Sequence, residues 1–167
     1  MATKTSRTRN LACMATLLAG ALPASAFALE PTCERYLAAA EKSAAQPAVH
    51  TVTETAGTRI ESIAIGGKAW SRMDGGAWTP LPANVRALGR QMVADMRAGR
   101  LRLSACKITG TETVAGTPTT VISYALDVGT GPQVSKVYIG RDGLVHAQST
   151  SDAKVRFRYR DVVAPRP

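Results

Sequence analysis

Aromatic residues, histidines and cysteines are scarce in this chain. Aromatic side chains make up 5% of the 167 residues, and the only histidines are His50 and His146. So few histidines and cysteines leave little material for a metal site or for a cysteine–histidine nucleophile. The phosphate loop, the His-Glu-x-x-His helix and the nucleophile elbow are also missing from the sequence. These absences argue against an enzyme, a metal ion and a cofactor.

The sequence also lacks an apolar run of the ~20 residues that a membrane-spanning helix needs. Its apolar run at residues 11–22 is shorter, follows three basic residues and is interrupted by Pro23. Small residues then form a cleavage site that ends at Ala28. We therefore predict a secretory signal peptide at residues 1–28, a periplasmic location and a single mature domain at 29–167. The alternative is an uncleaved membrane anchor.

The chain has three cysteines, and Cys13 lies within the predicted signal peptide. Cys33 and Cys106 remain, and an even count in an oxidising compartment suggests one disulfide. A redox or metal pair is the alternative, but no Cys-x-x-Cys motif is present and the histidines are distant in sequence. We predict a structural Cys33–Cys106 disulfide.

Acidic residues are outnumbered by basic ones, and the formal charge is +9. Removing the signal peptide takes away three basic residues and leaves +6. Basic residues alternate with apolar ones near the C-terminus, which predicts a strand with one wet, basic face. The basic residues are Lys154, Arg156, Arg158 and Arg160. They favour an anionic membrane surface as a partner; the alternative is a solvated face that keeps the protein soluble. Nucleic acid is not expected, because no binding motif is present.

Apolar residues at every second position, separated by glycine turns, predict about nine short antiparallel strands. Two helices interrupt them. The first is predicted at residues 33–45 with Thr32 as its cap, and the second at residues 85–98 with Asn84 as its cap. The second helix carries an apolar stripe that is either core or a mobile cover over a cavity. The stripe consists of Val85, Leu88, Met92 and Met96.

Five short motifs along this layout resemble the periplasmic lipoprotein-carrier superfamily, the LolA/LolB-like proteins with the LppX-type lipid-binding lipoproteins of mycobacteria. They are IGGKAWSR at 65–72, GAWT at 76–79, GTETVAG at 110–116, VYIGRDGLV at 137–145 and YRDV at 159–162. The resemblance implies a strongly curved antiparallel sheet, a half-open β-barrel, with two helices at its concave side. The fold class is therefore expected to be α+β. No functional residue of the family can be matched individually.

The resemblance also implies a cavity that receives acyl chains. We therefore expect a non-catalytic, monomeric binding protein for an apolar or lipidated ligand. The candidate cavity residues are Trp70, Trp78, Met92, Met96 and Tyr124. The alternative is a small envelope protein that binds other proteins or inhibits an enzyme, with a filled core and no ligand.

Overall fold

The structure, a computed structural model, describes residues 29–82 and 84–166. It contains two helices and nine strands within these ranges, as the strand and helix patterns predicted. They are α1 (Pro31–Ala44), β1 (Ala48–Thr55), β2 (Thr58–Ile65), β3 (Lys68–Met73), β4 (Thr79–Leu81), α2 (Val85–Arg97), β5 (Arg102–Val114), β6 (Thr117–Asp127), β7 (Pro132–Gly140), β8 (Val145–Ser149) and β9 (Ala153–Arg158). The predicted signal peptide lies outside the described residues. None of the described helices is long and apolar enough to cross a bilayer.

All nine strands belong to one antiparallel sheet, in the order β4-β3-β2-β1-β9-β8-β7-β6-β5. Neighbours in sequence are neighbours in the sheet, except where β1 pairs with β9 along the register from Thr55–Ala153 to His50–Arg158. The sheet is curved and not closed, and the two helices lie at its concave side. The predicted α+β fold is confirmed. We call the face opposite the helices the outer face.

The core lies between α1 and strands β5 to β8. The helix contributes Cys33, Tyr36, Leu37 and Ala39, which are nearly inaccessible to solvent. They pack against buried sheet residues, because an alanine-rich helix can approach a sheet closely. These sheet residues are Leu103, Cys106, Ile122, Tyr124, Val137, Ile139 and Val145.

The predicted disulfide is present within this core. Cys33 and Cys106 are bonded, and their Cα atoms lie 5.1 Å apart. The bond joins α1 to β5, because Cys33 lies on the buried face of the helix. It fixes the N-terminal helix to the second half of the sheet.

The predicted cap of α1 is wrong, and that of α2 is right in position only. Helix α1 begins at Pro31 and is preceded by Glu30 at the N-cap. Proline suits the first turn because its missing N–H would have no partner there, so Thr32 lies inside the helix. Asn84 does precede α2, but its side chain makes no capping hydrogen bond.

Candidate functional site

A cavity of about 320 Å³ lies between the two helices and the inner face of the sheet. We call it the inner cavity. Small side chains surround much of it, and they do not reach far enough to fill the space between the helices and the sheet. Its walls include Ala40, Ser43 and Ala44 of α1; Thr51, Ser62, Ala64 and Ala69 of the sheet; and Gly89, Met92, Val93 and Met96 of α2.

Helix α2 covers the inner cavity incompletely. Met96 is buried, at 4% exposure, but Met92 is 50% exposed and Leu88 is 62% exposed. The apolar stripe of α2 is therefore not ordinary core along its whole length. Its last turn packs inward while its first turns present apolar side chains to solvent.

A hydrogen-bonded group closes one side of the inner cavity. The Gln148 side-chain amide donates to the Tyr36 hydroxyl at 3.0 Å and to the Tyr124 hydroxyl at 3.1 Å. The two tyrosine rings are tilted, with centroids 4.5 Å apart. Burial, together with the neighbouring Tyr124, raises the pKa of Tyr36 far above its ordinary value. This phenol therefore stays neutral, and the wall it forms is uncharged.

The structure separates the five candidate cavity residues. Met92 and Met96 line the inner cavity. Tyr124 lies behind Tyr36 in the core rather than at the cavity surface. The two tryptophans lie elsewhere. Trp70 alternates with the cavity-lining Ala69 and so points to the outer face. Trp78 lies beneath the Arg72 guanidinium, whose central carbon is 4.6 Å from the centre of the Trp78 ring.

A second depression of about 610 Å³ lies on the outer face at the end of the sheet where β9 finishes. We call it the outer groove. It brings together Arg156, Arg158 and Arg160 from the alternating run, but not Lys154. Arg141, from the turn between β7 and β8, joins them and was not a sequence candidate. The apolar part of its wall includes Val52, Val114, Pro118, Leu144 and Phe157.

The arginines of the outer groove differ in their partners. Arg156 donates to the Glu54 carboxylate at 2.5 Å. Arg158 contacts the His50 ring nitrogen Nδ1 at 3.2 Å. Among the described residues, no carboxylate pairs with Arg141, Arg158 or Arg160. Arginine cannot lose its charge in this environment, so the groove carries uncompensated positive charge.

His50 links the outer groove to a buried carboxylate. Because Arg158 can only donate, His50 accepts at Nδ1 and its Nε2–H donates to Glu61 at 3.1 Å. Glu61 is only 6% exposed and also accepts from Arg72 and Arg59. Burial alone would raise its pKa, but the hydrogen bonds from Arg72, Arg59 and His50 outweigh burial and lower the pKa. The ionised Glu61 carboxylate thus orients the His50 ring by a hydrogen bond, and the His50 ring in turn orients Arg158.

The other histidine belongs to the rim of the same groove. His146 Nε2 lies 3.1 Å from both carboxylate oxygens of Asp142. Burial would raise the pKa of Asp142, but the Leu144 N–H and His146 outweigh it and lower the pKa. In the part of the chain that the structure describes, no three of the histidines, cysteines and acidic residues are grouped to hold a metal ion. The Asp142–His146 pair is therefore a local contact of the turn.

No protein-family model matches the chain, and no curated protein matches its sequence. Solved structures are similar. LprF from Mycobacterium bovis superposes with a TM-score of 0.51 at 9% identity, over 81% of this chain and 96% of LprF. Lipoprotein LppX from Mycobacterium tuberculosis has a TM-score of 0.49 at 14% identity, over 81% of this chain and 97% of LppX. MucB, in the MucA/MucB complex from Pseudomonas aeruginosa, has a TM-score of 0.44 at 14% identity, over 81% of this chain and 59% of the matched chain.

The likeness to LprF concerns the fold, because 9% identity is too low to carry a function. The chain has the open, curved sheet with helices that the motifs led us to expect of a LolA-like protein. Function must therefore be argued from the inner cavity and the outer groove of this chain.

Proposed function

We propose that this chain is a non-catalytic periplasmic binding protein that holds an apolar or lipidated ligand in the inner cavity. The observation that carries the proposal is the cavity itself, which small side chains leave open between α2 and the sheet; its lining is mostly apolar, with Arg86 and Arg90 of α2 also reaching it. Met92 and Met96 are the proposed contact residues, since thioether side chains adapt to ligands of different shape. A buried apolar surface of this kind gains free energy when a hydrocarbon chain displaces water from it.

The size of the inner cavity limits the ligand. Small-molecule pockets range from about 300 to 1,000 Å³, and this one is about 320 Å³. It therefore suits a single acyl chain better than several chains. The half-exposed Met92 gives the chain a route past α2.

The periplasmic part of the proposal has two supports. The N-terminal sequence has the charge, apolar run and cleavage site of a signal peptide. The Cys33–Cys106 bond requires an oxidising compartment to form and persist. We propose that the mature protein is one domain, residues 29–167.

The second candidate function is a protein-binding module, and the exposed stripe on α2 favours it. Leu88 and Met92 are more exposed than apolar side chains of a packed helix, and such surfaces mark contact sites when they are contiguous. A protein partner would cover this stripe. It would leave the inner cavity without a hydrocarbon ligand.

Two measurements test the lipid-binding function. We expect mass spectrometry of an organic extract from the purified protein to find a bound lipid, and a fluorescent fatty acid to be taken up. Thr51→Phe fills the inner cavity, which Thr51 lines, and should lower uptake at least about tenfold because the chain loses its space. Thr53→Phe is the matched control, since Thr53 lies two residues along the same strand and does not line the cavity.

The absence of both bound lipid and fatty-acid uptake would refute the lipid-binding function and favour the protein-binding module. Equal uptake by the two phenylalanine variants would show that the ligand binds outside the inner cavity.

A further inference from the structure

Strands β8 and β9 separate at one end of the sheet. Their pairing runs from Ser149–Lys154 to Ala147–Arg156 and stops there. Beyond that point β9 continues alongside β1 and β8 continues alongside β7. A continuous hydrogen-bonded ladder separates the two faces of a sheet, whereas an interrupted one leaves an opening between them. We call this the β8–β9 opening.

The inner cavity and the outer groove meet at the β8–β9 opening. Phe157 and Tyr159 line both of them. The Tyr159 hydroxyl donates to the Val145 carbonyl oxygen at 2.7 Å, so it reaches from the end of β9 to the start of β8. Two aromatic side chains, rather than paired backbone, therefore form the wall between the apolar cavity and the basic groove.

The wall is uncharged, although charged groups surround its outer side. Burial raises the pKa of Tyr159 to about 12, so its phenol stays protonated and keeps its bond to Val145. The His146 ring lies edge-on to Tyr159, with centroids 6.3 Å apart. A hydrocarbon chain that crosses this wall beside Phe157 and Tyr159 therefore meets no ionised group in the wall itself.

The outer groove offers donors for an anion on the other side of this wall. Arg158 is held in place by His50 but has no carboxylate partner among the described residues, and Arg160 follows directly after Tyr159. The carboxylate that lines the groove, Asp142, is already engaged by His146. Guanidinium groups bind phosphate and carboxylate oxygens through paired hydrogen bonds.

We propose that the ligand is an anionic amphiphile whose chain occupies the inner cavity and whose phosphate or carboxylate headgroup lies in the outer groove against Arg158 and Arg160. The β8–β9 opening, beside Phe157 and Tyr159, connects the two parts. This inference rests on the proposed function, because the chain must bind in the inner cavity. It adds that charge on the headgroup contributes to affinity.

Three probes with the same acyl chain test the headgroup site by calorimetry. They are myristoyl lysophosphatidylglycerol, myristate and the uncharged monomyristin, with inorganic phosphate as the probe without a chain. We expect at least one anionic probe to bind roughly tenfold more tightly than monomyristin, since hydrogen bonds to charged groups are stronger than neutral ones. Comparing the two anionic probes identifies the preferred headgroup.

Two double variants distinguish binding in the outer groove from a general effect of the protein's net charge. The double variant Arg158→Gln/Arg160→Gln should remove the roughly tenfold preference, so that the anionic probes bind no more tightly than monomyristin. The control Arg102→Gln/Lys107→Gln removes the same charge from exposed positions that line neither the cavity nor the groove, and should keep the preference. Circular dichroism checks that each variant is folded.

The outcomes are distinct. Equal binding of charged and uncharged probes overturns the headgroup site and leaves the proposed function intact. Binding of none of the acyl probes overturns both. If inorganic phosphate binds as tightly as the lysophospholipid, the groove is an independent anion site and the amphiphile proposal is wrong.

Discussion

Glu61 is a carboxylate on the outer face, and we expect its replacement to destabilise the fold. It is almost fully buried and accepts hydrogen bonds from Arg72, Arg59 and His50. Glu61→Gln keeps the shape but leaves these donors without an anion, so we expect a loss of about 2 kcal/mol in the free energy of unfolding. Denaturant unfolding measures it. Glu54→Gln is the control: that carboxylate is 42% exposed, and its loss should cost less than about 1 kcal/mol.

The stability that Glu61 provides should depend on pH. Its pKa in the folded protein lies below the ordinary value of 4.5, so folding favours the ionised form. The contribution is complete above about pH 4.5 and falls as the pH drops through the lowered folded pKa. The difference between wild type and Glu61→Gln should shrink accordingly in acid. A difference that stays constant down to pH 3 would contradict the ionised assignment.

Single residues also show where sequence reasoning stops. Trp70 and Ala69 are adjacent in β3, and alternation alone does not say which of the two faces the helices. The small residues that leave the inner cavity open give no pattern that distinguishes them from a closely packed core. Arg141 joins the outer groove only because the β7–β8 turn lies beside the end of β9.

At the scale of elements, α2 is held mainly by arginines. Arg97 donates to Glu34 and Glu41 of α1. Arg86 donates to the carbonyl oxygen of Pro47, in the segment that joins α1 to β1. Met96 is the residue of α2 that is buried. We therefore expect amide hydrogen exchange to be faster in α2 than in the sheet.

Arg97→Gln tests this attachment. It should raise exchange in α2 and speed fatty-acid uptake, while lowering overall stability by no more than about 1 kcal/mol, because all three side chains are at least 40% exposed. For hydrogen exchange, Arg90→Gln is the control on the same helix, since Arg90 has no carboxylate partner among the described residues. For uptake, the control is Arg102→Gln, because Arg90 lines the inner cavity and Arg102 does not. Unchanged exchange in the Arg97 variant would show that packing alone holds α2.

The disulfide acts on α1 and its contact with β5. It closes a loop of 73 residues, so Cys33→Ser/Cys106→Ser should cost about 4 kcal/mol on the chain-entropy model. We expect a lower melting temperature and faster proteolysis before Pro47, because α1 depends on packing for its stability. Reduction of the wild-type protein should have the same effect. Free thiols on both cysteines of protein expressed in the periplasm would contradict the disulfide.

At the scale of the molecule, local and distant pairings differ in how well sequence predicts them. Each glycine turn joins neighbouring strands, so the hairpins and the fold class follow from the pattern. The β1–β9 pairing does not, because about 100 residues separate the two strands (His50 pairs with Arg158). The outer groove depends on that pairing, which brings His50 beside Arg158. The alternating run predicted three of its arginines, Arg156, Arg158 and Arg160, but not the site they form.

The net positive charge of the chain, +9, predicts binding to anionic vesicles at low salt. Basic residues near a charged bilayer contribute up to about 1 kcal/mol each, and salt weakens them. Arg158→Glu/Arg160→Glu should reduce co-sedimentation at least tenfold, and more than the equally charged Arg102→Glu/Lys107→Glu. Equal losses would mean that net charge, rather than the groove, controls binding.

The order of the strands also determines when the sheet can be completed. Since β1 lies fourth among the nine strands and its second neighbour is β9, one side of β1 has no partner until almost the whole chain has been synthesised. An unpaired central strand is prone to join strands of other molecules. We therefore expect the nascent protein to need protection until β9 is available, and its slowest folding step to be the late docking of the C-terminal hairpin against the first.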